Sequence, residues 1–218
     1  MKFNRKNLVL YAITSEKYPK NDDSFFLKDI ENAILGGATC IQLREKKLEE
    51  NLFLEKSIKL KKLCKKHNVP LIINDNVNIA LKSDADGVHL GKKDTSIKEA
   101  IKILGKNKII GASVTNVNEA IRAQKLGASY LGVGSMFYTH SKKDADMVSI
   151  STLKSICEFV NIPVVAIGGI NKNNIQQLNY SRISGIAVIS AIFDKNDIKS
   201  ATKDLKREIL KIINSKII

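Results

Sequence analysis

The chain has 218 residues, 44% of them hydrophobic and 27% charged, with 36 Lys and Arg against 22 Asp and Glu for a net charge of +14. This length suits one domain with a full core and the composition is that of an ordinary globular protein. No apolar run approaches the roughly 18 residues of a membrane span, and the start, MKFNRKNLVLYAIT, reads as a first strand and not as a signal peptide.

In chain order, a strand is predicted over 8–13, then a helix over 24–35 with Ser24 as its cap, ended by Gly36-Gly37. A strand over 39–43 leads to a long helix over 49–67 that stops before Pro70. The central stretch, LIINDNVNIALKSDADGVHLGKKD, reads as strand 71–73, a short helix 77–83 and strand 87–90. Further on come helix 96–104, strand 108–112, helix 116–126, strand 130–133, helix 149–160, strand 163–167, helix 172–178, strand 185–189 and a last helix 197–213. The strands are continuous Val/Ile/Leu runs, as in parallel sheets buried on both faces. Eight such units predict an α/β fold, one (β/α)8 TIM barrel forming a single catalytic domain over 1–218. An open sheet would more often carry a glycine-rich loop after its first strand, and Thr14-Ser15-Glu16 is none.

Cys40, Cys64 and Cys157 are scattered, without a C-x-x-C pair, which argues against a disulfide framework and for a reducing, cytoplasmic setting with small buried thiols. The positive charge invites a nucleic-acid reading. The lysines, however, spread over helix faces, with no zinc pattern, aromatic RNA-binding strand or basic tail. No nucleic-acid or membrane partner is expected; small anionic substrates are, and a homo-oligomer is left open.

In such a barrel the chemistry gathers at the carboxyl ends of the strands. Strand two ends in Gln42-Leu43-Arg44-Glu45-Lys46, where Arg44 offers a planar fork and Lys46 a point charge to an anion; a salt-bridged terminus is the alternative. Strand three ends in Asn74-Asp75, either a site or an Asx turn capping the next helix. Strand four ends at Gly91, with Asp94 on its loop. Two carboxylates from adjacent strand ends repel unless they share a cation or a proton, and carboxylates with substrate phosphates suit Mg2+. His89, in phase to face the barrel interior, reads more simply as a satisfied core residue, and Ser113 as an anion ligand or a helix cap. The loop over 134–144 is polar and basic, a mobile lid or a solvated charge cluster. Gly168-Gly169 after strand seven, with the turn after strand eight, would let backbone N–H groups approach a phosphate.

As a set these pieces resemble the thiamine-phosphate synthase family: Q-L-R-E-K at 42–46, I-I-N-D at 72–75, D-G-V-H-L-G-x-x-D at 86–94, G-A-S at 111–113, T-x-S-K-K-D at 139–144, A-I-G-G-I at 166–170 and A-V-I-S at 187–190. The resemblance implies a transferase that joins 4-amino-2-methyl-5-hydroxymethylpyrimidine pyrophosphate to 4-methyl-5-(2-phosphooxyethyl)thiazole, with Mg2+ as cofactor. It implies Gln42, Arg44, Lys46, Asn74, Ser113 and Lys142 at the pyrimidine pyrophosphate, with Arg44, Lys46 and Lys142 catalytic. Asp75 and Asp94 would be the metal ligands. Thr139, Ser141, Gly169, Ile189 and Ser190 would meet the thiazole phosphate, and Leu43, Glu45 and His140 fall within the same substrate-binding motifs. The chain departs from the family pattern at Ser135, Tyr138 and Ser141, where proline, proline and threonine are usual. A thiazole tautomerase of the same fold would need neither the aspartate pair nor Lys142.

Overall fold

Each apolar run becomes a short strand whose two faces are both covered. The computed structural model describes residues 3–15, 17–18, 23–139 and 146–214. Its strands are β1 (Leu10–Ile13), β2 (Cys40–Leu43), β3 (Leu71–Asn74), β4 (Gly87–Leu90), β5 (Ile109–Val114), β6 (Tyr130–Val133), β7 (Val164–Ile167) and β8 (Gly185–Val188). All pair in parallel in chain order, and β8 returns to β1 to close the barrel, with Leu10 opposite Ile186 and Tyr11 opposite Ala187.

The helices are α1 (Ser24–Leu35), α2 (Glu50–Lys66), α3 (Val77–Lys82), α4 (Ile97–Leu104), α5 (Val117–Lys125), α6 (Ile150–Phe159), α7 (Ser190–Phe193) and α8 (Ile198–Asn214). Among the described residues no helix is long and apolar enough to cross a membrane. The period of two along each strand sorts the core into two layers. Leu10, Ile41, Leu43, Ile73, Val88 and Leu131 pack outward under the helices. Tyr11, Ile13, Cys40, Ile72, Ile109, Tyr130, Val165 and Ala187 fill the interior.

Several predictions shift. The strand over 8–13 starts only at Leu10, because Leu8 closes a 3-10 turn over Arg5–Leu8. In the helix over 24–35 Asp23 takes the N-cap position, without a side-chain capping bond, so Ser24 is the first helical residue and not the cap. The strand over 108–112 runs on through Ser113 to Val114. The segment 172–178 forms only a 3-10 turn, Ile175–Leu178, because Asn171 and Asn174 bond the nearby backbone instead of continuing a helix. The four-residue α7 was too short to stand out in the periodicity.

Two large rings and an imidazole share the interior with residues that make room for them. A Cβ on Gly111 would collide with the Tyr130 ring and His89 Nδ1, and one on Gly132 would lie 3.0 Å from His89 Cε1. Gly111→Ala is therefore expected to destabilise the barrel by about 1–3 kcal/mol through overpacking. Thermal unfolding checks this; an unchanged midpoint would mean the rings have slack.

Candidate active site

At the end of β2 the alternation separates motif residues by direction. Gln42 faces the interior and is 2% exposed. Leu43 faces the other way and lies in the outer core. The Arg44 backbone N–H donates to Thr14 Oγ1 at 2.9 Å, tying the strand end to β1. The Glu45 side chain turns outward to α2, where Lys56 Nζ donates to its Oε1 at 2.6 Å. Both groups of that pair are nearly excluded from water, 5% exposed for Lys56 and 7% for Glu45, and Lys56 Nζ also sits 4.2 Å from the centroid of the buried Phe26 ring. So Leu43 and Glu45, expected among the substrate-binding residues, have side chains directed away from the barrel mouth; what they can offer a ligand there is main chain.

At the end of β3, Asp75 adopts a left-handed backbone, φ +63, and its N–H donates to the His89 carbonyl at 2.8 Å. Short polar residues tolerate that conformation best. The cap of α3 is the next residue, Asn76, whose side chain accepts from the Ile79 N–H at 2.9 Å. The capping alternative for Asn74-Asp75 is thus taken by a neighbour. Asp94 is held from the other side, its Oδ2 accepting from the Gly91 N–H at 2.7 Å. The two carboxyl groups face each other closely enough to interact, and burial, with Asp94 adding to it, pushes Asp75 above the usual carboxylate range. Lys46 Nζ contacts Asp75 Oδ2 and partly offsets that shift.

On β5, Ser113 is not a helix cap; Asn116 caps α5. Ser113 Oγ lies 2.9 Å from His89 Nε2, and His89 Nδ1 lies 2.9 Å from Tyr130 Oη. His89 therefore does face the interior and is satisfied there.

On the opposite side of the mouth, Gly168 and Gly169 have φ of +100 and +64. The segment after β6 leans on them: the Met136 N–H donates to the Ile167 carbonyl at 2.9 Å and the Phe137 N–H to the Gly168 carbonyl at 3.0 Å. A Cβ on Gly169 would lie 2.8 Å from the Phe137 carbonyl oxygen and clash with that of Tyr138. Only glycine permits both the turn and this approach, which carries the chain toward Thr139. The Gly169 carbonyl accepts from Asn171 Nδ2 at 3.1 Å and Asn174 Nδ2 at 2.9 Å. Ile189 packs on the interior layer at the start of α7, and Ser190 beside it is exposed. His140, Ser141 and Lys142, and with them the end of the expected lid over 140–144, lie outside the described residues.

One mouth therefore collects Gln42, Arg44, Lys46, Asn74, Asp75, Asp94, Ser113, Thr139, Gly169, Ile189 and Ser190 at the carboxyl ends of the strands or on the loops that follow them. Sequence reasoning did not single out Tyr11, Tyr130, Thr14, Lys56 or the Asn171–Asn174 pair. A polar side chain in the inward phase of an apolar strand was the available signal for the first two. Cys40 and Cys64 are buried free thiols, Cys157 is partly so, and burial pushes Cys64 and Cys157 up to about 12, which makes them unreactive.

Thiamine phosphate pyrophosphorylase from Pyrococcus furiosus superposes on the barrel with a TM-score of 0.86 at 38% identity, covering 96% of this chain and 99% of that one. N-acetylmannosamine-6-phosphate 2-epimerase from Clostridium perfringens superposes at 0.65 with 20% identity, a likeness of fold alone. Thiamine-phosphate synthase of Clostridium tetani is 50% identical over 202 residues, 92% of this chain and 96% of its own. That of Caldanaerobacter subterraneus is 46% identical over 206 residues, 94% and 95% of the two chains. The chain is thus a transferase built on a (β/α)8 barrel. The thiamine monophosphate synthase model matches residues 10–192, and the chain belongs to that family.

Proposed function

We propose that this family member joins 4-amino-2-methyl-5-hydroxymethylpyrimidine pyrophosphate to 4-methyl-5-(2-phosphooxyethyl)thiazole, releasing thiamine phosphate and pyrophosphate, within one catalytic domain over 1–218. The observation that carries the reading is the meeting of Asp75 and Asp94 at the mouth, with Lys46 against Asp75. Among the described residues no group of three His, Cys, Asp or Glu side chains could hold a metal. Two carboxylates alone are a donor set for Mg2+, which leaves its other positions to water and phosphate oxygens. Asp75 and Asp94 would hold that ion, which supplies positive charge beside the departing pyrophosphate.

The chain's own residues do the rest. Arg44 and Lys46 stand at the end of β2 to bind the pyrophosphate and stabilise its charge as the CH2–O bond breaks. Lys142 would add to them from the lid. The aminopyrimidine ring delocalises the cation left behind, and the thiazole nitrogen attacks it, so no protein nucleophile takes part. Gln42, Asn74 and Ser113 would seat the pyrimidine end. Gly169, Ile189, Ser190, Thr139 and Ser141 would hold the thiazole phosphate. Buried, free cysteines favour a reducing, cytoplasmic setting.

A coupled assay with both substrates tests the reading. Pyrophosphate release is expected with Mg2+ and lost with EDTA. Turnover that ignores Mg2+, or thiazole isomerisation without pyrophosphate release, would overturn it.

A further inference from the structure

Five polar groups cross the barrel interior in one chain of contacts. Gln42 Nε2 on β2 donates to Tyr11 Oη on β1 at 2.6 Å. Tyr11 Oη lies 2.9 Å from Tyr130 Oη on β6, and Tyr130 Oη lies 2.9 Å from His89 Nδ1 on β4. His89 Nε2 lies 2.9 Å from Ser113 Oγ on β5. Gln42, Tyr11 and Tyr130 are 2%, 1% and 0% exposed, so water does not replace the contacts among them, while His89 and Ser113 are partly exposed. Both ends of the chain are residues assigned above to the pyrimidine, while the three middle members have no assigned role.

Starting from the Gln42 amide, one polarity satisfies every member of the chain. Burial pushes both tyrosine hydroxyls well above their ordinary pKa, so each keeps one hydrogen and donates once. Tyr11 accepts from Gln42 and so gives its hydrogen to Tyr130. Tyr130 gives its own to His89 Nδ1. The imidazole then carries its proton on Nε2 and donates it to Ser113 Oγ. This leaves the Ser113 hydroxyl hydrogen to point elsewhere, and it leaves Gln42 Oε1, which accepts no hydrogen bond among the described residues, as the atom not committed to the interior. Reversing the chain would require the Gln42 amide to turn over and every hydroxyl to turn with it.

We propose that Tyr11, Tyr130 and His89 are positioning residues: a relay of fixed polarity that makes Gln42 an acceptor and Ser113 a donor at the barrel mouth, and so selects an aminopyrimidine over its oxo counterpart. An aminopyrimidine brings an N–H donor for Gln42 Oε1 and a bare ring nitrogen for the Ser113 hydroxyl. The 4-oxo ring brings a carbonyl and an N–H in their places, and would meet acceptor with acceptor and donor with donor. A site built from buried polar groups rejects such a mismatch far more strongly than an apolar pocket does. The inference rests on the reading of Gln42 and Ser113 as the ring subsite.

The test compares inhibition constants of the 4-amino and 4-oxo pyrimidines carrying a non-leaving methylenebisphosphonate, so that chemistry does not enter the ratio. Tyr130→Phe and, separately, Tyr11→Phe keep ring volume and remove only the hydroxyl. Each is expected to reduce the amino-over-oxo preference about tenfold, the worth of one neutral hydrogen bond, with the KM for thiazole phosphate unchanged. Tyr130→Phe should add little in a Ser113→Ala background, since it acts through that serine. A preference that survives both tyrosine changes but falls in Ser113→Ala overturns the relay and spares the subsite. If Ser113→Ala and Gln42→Leu also leave the inhibition constants unmoved, the subsite reading fails and the relay falls with it.

Discussion

Asp75→Asn is expected to lower turnover roughly 10²- to 10³-fold, the scale of losing one preorganised charge-stabilising group, and yet to make the metal-free protein more stable. Asparagine tolerates the left-handed backbone at this position, so the change is confined to charge. Burial and the facing Asp94 raise the Asp75 pKa in the fold. A carboxyl whose folded pKa lies above its unfolded value binds its proton more tightly when folded, so it weakens the fold as pH rises from the unfolded value through the folded one. The variant lacks that penalty. Losing the Lys46 contact offsets little, because Lys46 is 45% exposed and water replaces the partner. In EDTA at pH 7 the variant should therefore unfold at a higher temperature than wild type, and the difference should close near pH 3, below the ordinary aspartate pKa of about 3.9. Near-normal turnover, or a lower midpoint at pH 7, would refute this account of the acidic pair.

Lys56→Met is expected to have the largest cost in stability. It leaves the Glu45 carboxylate 7% exposed with its cation gone. Breaking a buried ion pair from one side costs about 3–5 kcal/mol, which in a protein of this size lowers the unfolding midpoint by roughly 10 °C. Glu45 would recover water only by moving the backbone it shares with Arg44 and Lys46, so activity should fall as well. The double variant Glu45→Met with Lys56→Met removes both charges and should regain most of the midpoint, since apolar replacement of a buried pair is close to neutral. A double variant as unstable as the single one would show that packing around Phe26, and not charge, was lost.

The barrel was legible because parallel strands covered on both faces leave unbroken apolar runs, and all eight were found. Strand ends were harder. Ser113 looked like a terminus because it is polar, but a polar side chain facing the barrel mouth still belongs to the ladder. Asn74, Asp75 and Asn76 are three polar residues in a row, and local sequence does not rank them as caps; the left-handed turn at Asp75 hands that task to Asn76. The direction of Glu45 could not be separated from that of its cationic neighbours until the alternation of β2 and the position of Lys56 on α2 were known. The relay was hidden for a related reason: Tyr11 and Tyr130 stand 119 residues apart in the chain, and only their arrival in one interior brings their hydroxyls to 2.9 Å.

Closure of the barrel through Leu10 and Ile186 also has a consequence for synthesis. A ribosome delivers β1 long before its partner β8, an interval on the order of ten seconds or more at ordinary elongation rates. Throughout that time the nascent first strand shows an unpaired edge to anything in the cell that can add a strand. Arg5 and Lys6, in the 3-10 turn just ahead of it, place charge where such an approach would begin.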